Sequence, residues 1–205
     1  MALIKSLSVK EIIKKINNYE TFEAISIESS FHIKIREYIP FVSAAIHAGN
    51  KLRHNLKDKI IHTSYERWYE EDPLTDTFIS SMPLTIVGLD SRFEYDLNRS
   101  PENCVYKDAW GKEVWKKPLS KALIKESLQK HTDFYKVIDV LIEAIEKKFN
   151  GCIVYDMHSY NFIRHKKDLP IFNLGTENVN QKKFKKVIDY WVRGLESIKI
   201  RSIEN

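Results

Sequence analysis

Phe41-Val-Ser-Ala-Ala-Ile-His-Ala-Gly-Asn50 is an apolar run that stops at a histidine, an alanine and a glycine. A short continuous apolar segment closed by a turn signal reads as a strand buried on both faces, and such strands belong to sheets covered by helices. Working outward, Pro83-Leu-Thr-Ile-Val-Gly-Leu-Asp90 repeats the pattern and runs into Ser91-Arg-Phe-Glu-Tyr-Asp-Leu-Asn-Arg99. A third such strand, Gly151-Cys-Ile-Val-Tyr-Asp-Met-His-Ser159, follows a helical stretch over roughly 121–148 in which Leu123, Phe134, Val137, Ile138, Leu141, Ile142 and Ile145 recur at helical spacing. Asn150-Gly151 ends that helix. Upstream, Ser8 opens a helix whose apolar face is Ile12, Ile13 and Ile16, and residues 22–30 alternate as a strand does. A last helix is expected over about 182–197. Strands alternating with helices predict an α/β fold, a mixed and largely parallel sheet flanked by helices.

The chain has 205 residues, 43% of them hydrophobic, enough for one domain with a real core. No apolar run approaches the roughly 18–20 residues of a membrane span, and the first residues form an amphipathic pattern broken by lysines. Cys104 and Cys152 are too few for a disulfide framework and lack the spacing of a thiolate zinc site. A cytoplasmic protein with no membrane partner is expected. The net charge of +5 could suit nucleic acid, but the lysines occur as short pairs mixed with acids, such as Lys182-Lys183 and Lys185-Lys186. That is the pattern of solvated helix faces, so no nucleic-acid partner is expected.

In an open α/β sheet, ligands bind beyond the carboxyl ends of the strands. The three buried strands end at His47, at Asp90-Ser91-Arg92 and at Asp156-Met157-His158. His47 and His158 are candidate ligands for zinc or a similar divalent metal. Asp156, two residues before His158 and on the same side of an extended strand, can fix the far ring nitrogen. A carboxylate should complete the set, and Tyr69–Asp76 is the richest acidic stretch of the first half. Either Glu71 or Asp72 could serve, and Asp72 before Pro73 also reads as a helix cap. Arg92, Asn98 and Arg99 suit recognition of a carboxylate, or alternatively an internal ion pair of one arginine with Glu94 or Asp96.

Taken in order, AAIHAGNKLR, EEDPLTD, SRFEYDLNRSPE, AWGKEVW, YDMHSYN and PIFNLGT resemble the N-formylglutamate amidohydrolase family from about Phe41 onward. The resemblance implies a zinc-carboxypeptidase-like (phosphorylase/hydrolase-like) fold and hydrolysis of a linear amide in a small acidic N-acyl amino acid such as N-formyl-glutamate. It makes His47, His158 and the acidic element, with Asp72 the first choice, zinc ligands. Arg92, Asn98 and Arg99 become the groups that hold the substrate's carboxylates and polarise its carbonyl, with Arg92 counted among the catalytic residues. The family continues beyond NLGT and a helix into a glycine-glycine segment with a late glutamate, about where this chain stops at Asn205. The expectation is a single domain over 1–205 that lacks its C-terminal segment, is weakly active alone, and associates with itself or with a companion segment. Glu177, just past NLGT, is the nearest remaining candidate for the base, although it does not occupy the motif position. Two other readings of the same residues are a carboxypeptidase or deacylase for another acyl group, and a catalytically degenerate binding or regulatory module.

Overall fold

The computed structural model describes residues 4–160 and 170–198. Asn161, the end of the YDMHSYN motif, and the chain beyond 198 lie outside the described residues. The chain divides into two compact units, Met1–Asn161 and Phe162–Asn205.

In the first unit the elements are β1 (Lys5–Leu7), α1 (Val9–Asn17), β2 (Phe22–Ser26), β3 (Phe31–Ile35), β4 (Phe41–Ala45), α2 (His54–Lys57), α3 (Ser64–Trp68), α4 (Thr75–Phe78), β5 (Leu84–Gly88), β6 (Asp108–Ala109), β7 (Lys112–Glu113), α5 (Lys121–Phe149) and β8 (Ile153–Asp156). Six strands form one sheet in the order β1-β2-β3-β5-β4-β8. β1 is parallel to β2, and β4 is parallel to both β5 and β8, whereas β3 is antiparallel to β2 and to β5. Five strands therefore point one way and β3 alone runs against them, the mixed and mostly parallel α/β sheet that the apolar runs predict. Consequently the carboxyl ends of β5, β4 and β8, three adjacent strands, open on one edge.

Period-two alternation decides which side chains meet the helices. Ala24, Ile33, Ile35, Val42, Ala44, Leu84 and Ile86 face one way and pack with Ile12 and Ile16 of α1 and with Phe134, Val137, Leu141 and Ile145 of α5 in the main core. Two devices fix α1 and α5 in chain position. Ser8 and Glu11 form a reciprocal capping box at the start of α1, and Asn150 in the left-handed region ends α5 at φ 62°. A smaller cluster under the loops joins Leu56, Phe93, Tyr106, Val114 and Trp115. The hairpin β6–β7 feeds it, turning through Trp110 (φ 52°) and Gly111 (φ 77°).

Three details differ from the sequence reading. Residues 22–30 do not form one strand: β2 stops at Ser26, the chain turns through Ser29 at φ 51°, and β3 returns beside it. Asp72 does not cap a helix, since α4 begins after Leu74 in a left-handed conformation and takes no side-chain cap. The short elements α2, α3 and α4, of four or five residues each, are also too short to leave a periodic signal.

The second unit contains α6 (Gln181–Glu196), whose start is capped by the Asn180 side chain accepting from Lys183 N at 3.0 Å. Glu177 is exposed in the turn that precedes it, where Val179 N donates to Thr176 O. Among the described residues, no helix is long and apolar enough to cross a membrane.

Candidate functional site

The loop after β4 carries His47, and the glycine two residues on allows that loop to lie against its neighbour. A Cβ on Gly49 would stand 2.1 Å from the carbonyl carbon and 2.2 Å from the carbonyl oxygen of Leu89, so only glycine fits. The contact continues as Lys51 N donates to Leu89 O and Ser91 N to Lys51 O, pinning the loops after β4 and β5 side by side. Asp72 N donates to His47 O at 3.1 Å, which brings the acidic loop from between α3 and α4 onto the same edge. Met157 N donates to Ala44 O, and the strand end it fixes delivers His158.

These contacts bring together three of the residues singled out by sequence. Ligating atoms of His47, Asp72 and His158 all lie within 4.8 Å of one another. His158 Nδ1 is 2.8 Å from Asp72 Oδ2, and His47 Nδ1 is 3.4 Å from the same oxygen. Each imidazole is held from behind by a carboxylate: Asp96 Oδ1 at 2.8 Å from His47 Nε2, and Asp156 Oδ2 at 2.8 Å from His158 Nε2. An imidazole that donates from Nε2 presents the lone pair of Nδ1 to the other side. His47 is 1% exposed, and its Nδ1 is buried with no hydrogen-bond partner among the described residues. Ser159 Oγ donates to the second oxygen of Asp72 at 3.4 Å.

The electrostatics are those of a cation-seeking pocket. Burial opposes the charge on Asp72, but the contacts with His158 and His47 outweigh it and hold its carboxyl at about 2. Asp96 is held well below the usual carboxylate range: burial works against ionisation, and His47, Arg92 and Tyr106 overcome it. Burial lowers the affinity of His158 for a proton, yet Asp156 and Asp72 on either side raise it to about 10.

Glu71, the alternative acid, is not in this cluster. Its carboxylate is turned to the Ser91 hydroxyl, with Arg67 Nη1 at 4.0 Å. Arg92 has partners within the fold. Its Nη2 and Nε donate to Asp96 Oδ2 at 2.7 and 3.2 Å, its Nη1 donates to Glu70 O, and Trp110 covers it at 5.2 Å. The internal ion pair has therefore claimed Arg92, because an arginine four residues before a buried acid in a tight loop meets that acid first. Asn98 and Arg99 are exposed and line a cavity of ≈490 Å³ with Ser100, His131, Tyr135 and Lys136. Arg99 lies over the Tyr106 ring at 5.7 Å, and its guanidinium has no ion-pair partner among the described residues. Glu177 belongs to the second unit.

Asp96 is the functional residue that sequence reading missed in its main role. It accepts from His47, Arg92, Tyr106 and the backbone N of Asn98, and so joins the histidine to the arginine-rich loop. Behind it a buried ionic lattice fixes the loop from Asp90 to Asp96: Lys130 Nζ bonds Asp90 at 2.9 Å and meets Glu94 at 3.2 Å, while Arg53 Nε donates to Glu94 at 2.6 Å.

The profile of the N-formylglutamate amidohydrolase family matches residues 39–202, which spans every element of this site. Among solved structures, the chain is similar to an N-formylglutamate amidohydrolase from Ralstonia eutropha JMP134, with a TM-score of 0.62, 13% identity, and coverage of 80% of this chain and 73% of that one. No curated protein matches. The TM-score establishes a shared fold, and the profile match over most of the chain places this protein in the N-formylglutamate amidohydrolase family.

Proposed function

We propose that the protein hydrolyses a linear amide in a small acidic N-acyl amino acid of the N-formyl-glutamate type, using zinc or a similar divalent ion held by His47 Nδ1, Asp72 and His158 Nδ1. The observation that carries this reading is the orphaned Nδ1 of His47, buried and facing a carboxylate and a second imidazole whose far nitrogen is likewise tied to an acid. His47 Nδ1 and His158 Nδ1 stand 3.4 and 2.8 Å from Asp72 Oδ2, so the three donor atoms would be within reach of one ion. With Nε2 donating to Asp96, Nδ1 of His47 has a lone pair to offer an ion on the side of Asp72. The donor set, two neutral imidazoles and one carboxylate, is also that of open catalytic zinc sites.

A zinc ion held by His47, Asp72 and His158 would supply Lewis acidity and a bound water that ionises near neutral pH. The chain's own residues do the rest. Asp96 and Asp156 set the tautomers and orientation of the two imidazoles, and Arg92 balances the charge of Asp96. Arg99 and Asn98, which line the cavity of ≈490 Å³, would hold a carboxylate of the substrate, since a guanidinium pairs with two oxygens at once. Ser159 anchors Asp72 from the β8 side.

Zinc analysis of the purified chain and of His158→Ala, together with turnover of N-formyl-glutamate, N-acetyl-glutamate and a peptide with a C-terminal glutamate, tests the reading. One zinc per chain, lost in the variant, and preferential cleavage of the formyl compound are expected. Equal zinc content in both proteins would sink the metal assignment, and preference for the peptide would make the enzyme a carboxypeptidase instead.

A further inference from the structure

A second cavity, of ≈500 Å³, opens between the loop after Gly49 and α3, and its walls carry the nitrogen-bearing side chains of Lys51, Lys57, His62 and Arg67. Among the described residues, no Asp or Glu lines it. Arg67 is only 8% exposed and its backbone is fixed, its N donating to Thr63 O and its O accepting from Glu70 N and Glu71 N. Its guanidinium, in contrast, is unsatisfied: Nε and Nη1 are buried with no hydrogen-bond partner among the described residues, and so is Nε2 of His62. Two acids stand near and neither completes it. Glu71 Oε1, 4.0 Å from Nη1, is beyond hydrogen-bond reach and accepts from the Ser91 hydroxyl. Glu66 is committed to the backbone N and hydroxyl of Thr63 at 2.8 and 2.9 Å.

A buried guanidinium with three N–H bonds directed at no acceptor, beside an imidazole nitrogen and two lysines, calls for an oxyanion. Along the chain, the walls come from the segments that carry the candidate centre. Asn50 and Lys51 follow His47 by three and four residues, and the carbonyl of Arg67 accepts from the residue preceding Asp72. We propose that Arg67, with His62 and Lys51, binds the side-chain carboxylate of the acyl amino acid and so sets the preference for an acidic over a neutral substrate. This deepens the amidohydrolase reading and rests on it for the identity of the molecule that bears the carboxylate. With the Arg92 guanidinium bonded to Asp96, recognition of a second carboxylate calls for another cation, and among the described residues Arg67 is a buried arginine left open.

The test has two arms on the full chain. In the first, calorimetric titration measures binding of glutarate and of inorganic phosphate to the wild type, Arg67→Met and Lys51→Met. Loss of hydrogen bonds to a charged group should weaken glutarate binding about 10- to 100-fold in Arg67→Met. A decrease of a few fold is expected for the exposed Lys51→Met. In the second arm, Arg67→Met should raise KM for N-formyl-glutamate and leave KM for N-formyl-glutamine unchanged. Arg67-dependent glutarate binding without any turnover would keep the anion site and sink the amidohydrolase reading. Turnover with an unaltered KM in Arg67→Met would overturn the site, as would phosphate binding more tightly than glutarate at Arg67. Should Arg67→Met fail to fold by circular dichroism, Lys51→Met decides, and an unchanged glutarate affinity there overturns the proposal.

Discussion

Replacing Asp96 by asparagine preserves the shape of the side chain and removes its charge at the point where stability and the candidate centre meet. Asp96 is fully buried, and its oxygens accept from His47 Nε2 at 2.8 Å, Arg92 Nη2 at 2.7 Å, the backbone N of Asn98 at 2.7 Å and the Tyr106 hydroxyl. An amide offers one oxygen where the carboxylate offers two. Whichever way it turns, its NH₂ faces donors: Arg92 and Tyr106 on one side, or His47 and Asn98 on the other. Removing one partner of a buried ion pair costs about 3–5 kcal/mol. Arg92 retains Glu70 O and the Trp110 face, and its side chain is 14% exposed, so about 2–4 kcal/mol is the better figure. At 2–4 °C per kcal/mol for a chain of this size, the melting temperature should fall by about 5–15 °C. The depressed acid of the wild type contributes stability above the ordinary carboxylate range and loses it only as pH falls through the folded value, so measurement at pH 7 sees the full difference. Zinc affinity, titrated against a competing chromogenic chelator, should fall about 10- to 100-fold, because His47 loses the acceptor that orients it. A melting temperature within about 2 °C of wild type would refute the stability argument. A lower melting temperature with unchanged zinc affinity would leave Asp96 a structural anion with no role at His47.

Other substitutions probe the scaffold and the chemistry separately. Gly49→Ala places a Cβ 2.1 Å from Leu89 backbone carbon and should give insoluble or markedly destabilised protein, judged by expression and thermal melting; wild-type stability would show that the two loops can part. Lys130→Met leaves Asp90 with Tyr95 and Glu94 with Arg53, so a loss of about 2–4 kcal/mol in urea unfolding is expected, partly restored by adding Asp90→Asn. Burial pushes the Cys152 thiol up to about 11 from an ordinary 9.0, so at pH 8 it should react with iodoacetamide about 100-fold more slowly than a free thiol and accelerate as pH rises through that value. Glu177→Gln should lower kcat by about 10²- to 10⁴-fold at unchanged zinc content if the acid after Asn-Leu-Gly-Thr carries the proton, and an unchanged kcat removes it from the mechanism.

What could be read in the sequence was local. His47 and His158 were findable because each ends an apolar run, and the carboxyl-end rule needs only the direction of parallel strands, which the adjacent β5, β4 and β8 obey. Asp156 was findable because residues two apart in a strand share a side, and its oxygen is indeed 2.8 Å from His158 Nε2. Glu71 and Asp72 could not be separated, because they lie in a loop where neither strand nor helix period applies. What distinguishes them is tertiary: Ser91 captures one, and the two histidines face the other.

The role of Asp96 was illegible for a stronger reason. It lies 49 residues from His47, and the two meet only because β4 and β5 are neighbours although β5 follows β4 across three short helices. Gly49 is the physical link, since the approach of its backbone to Leu89 draws the loop of His47 onto the loop that leads to Asp96. The glycine of His-Ala-Gly therefore acts at the same place as the histidine. It supplies no donor, but without it the imidazole would not be within reach of the carboxylate that fixes its tautomer. Arg92 completes the same logic: once Asp96 is drawn to His47 its charge must be balanced in a buried loop, and the guanidinium four residues earlier is the group that the chain can deliver.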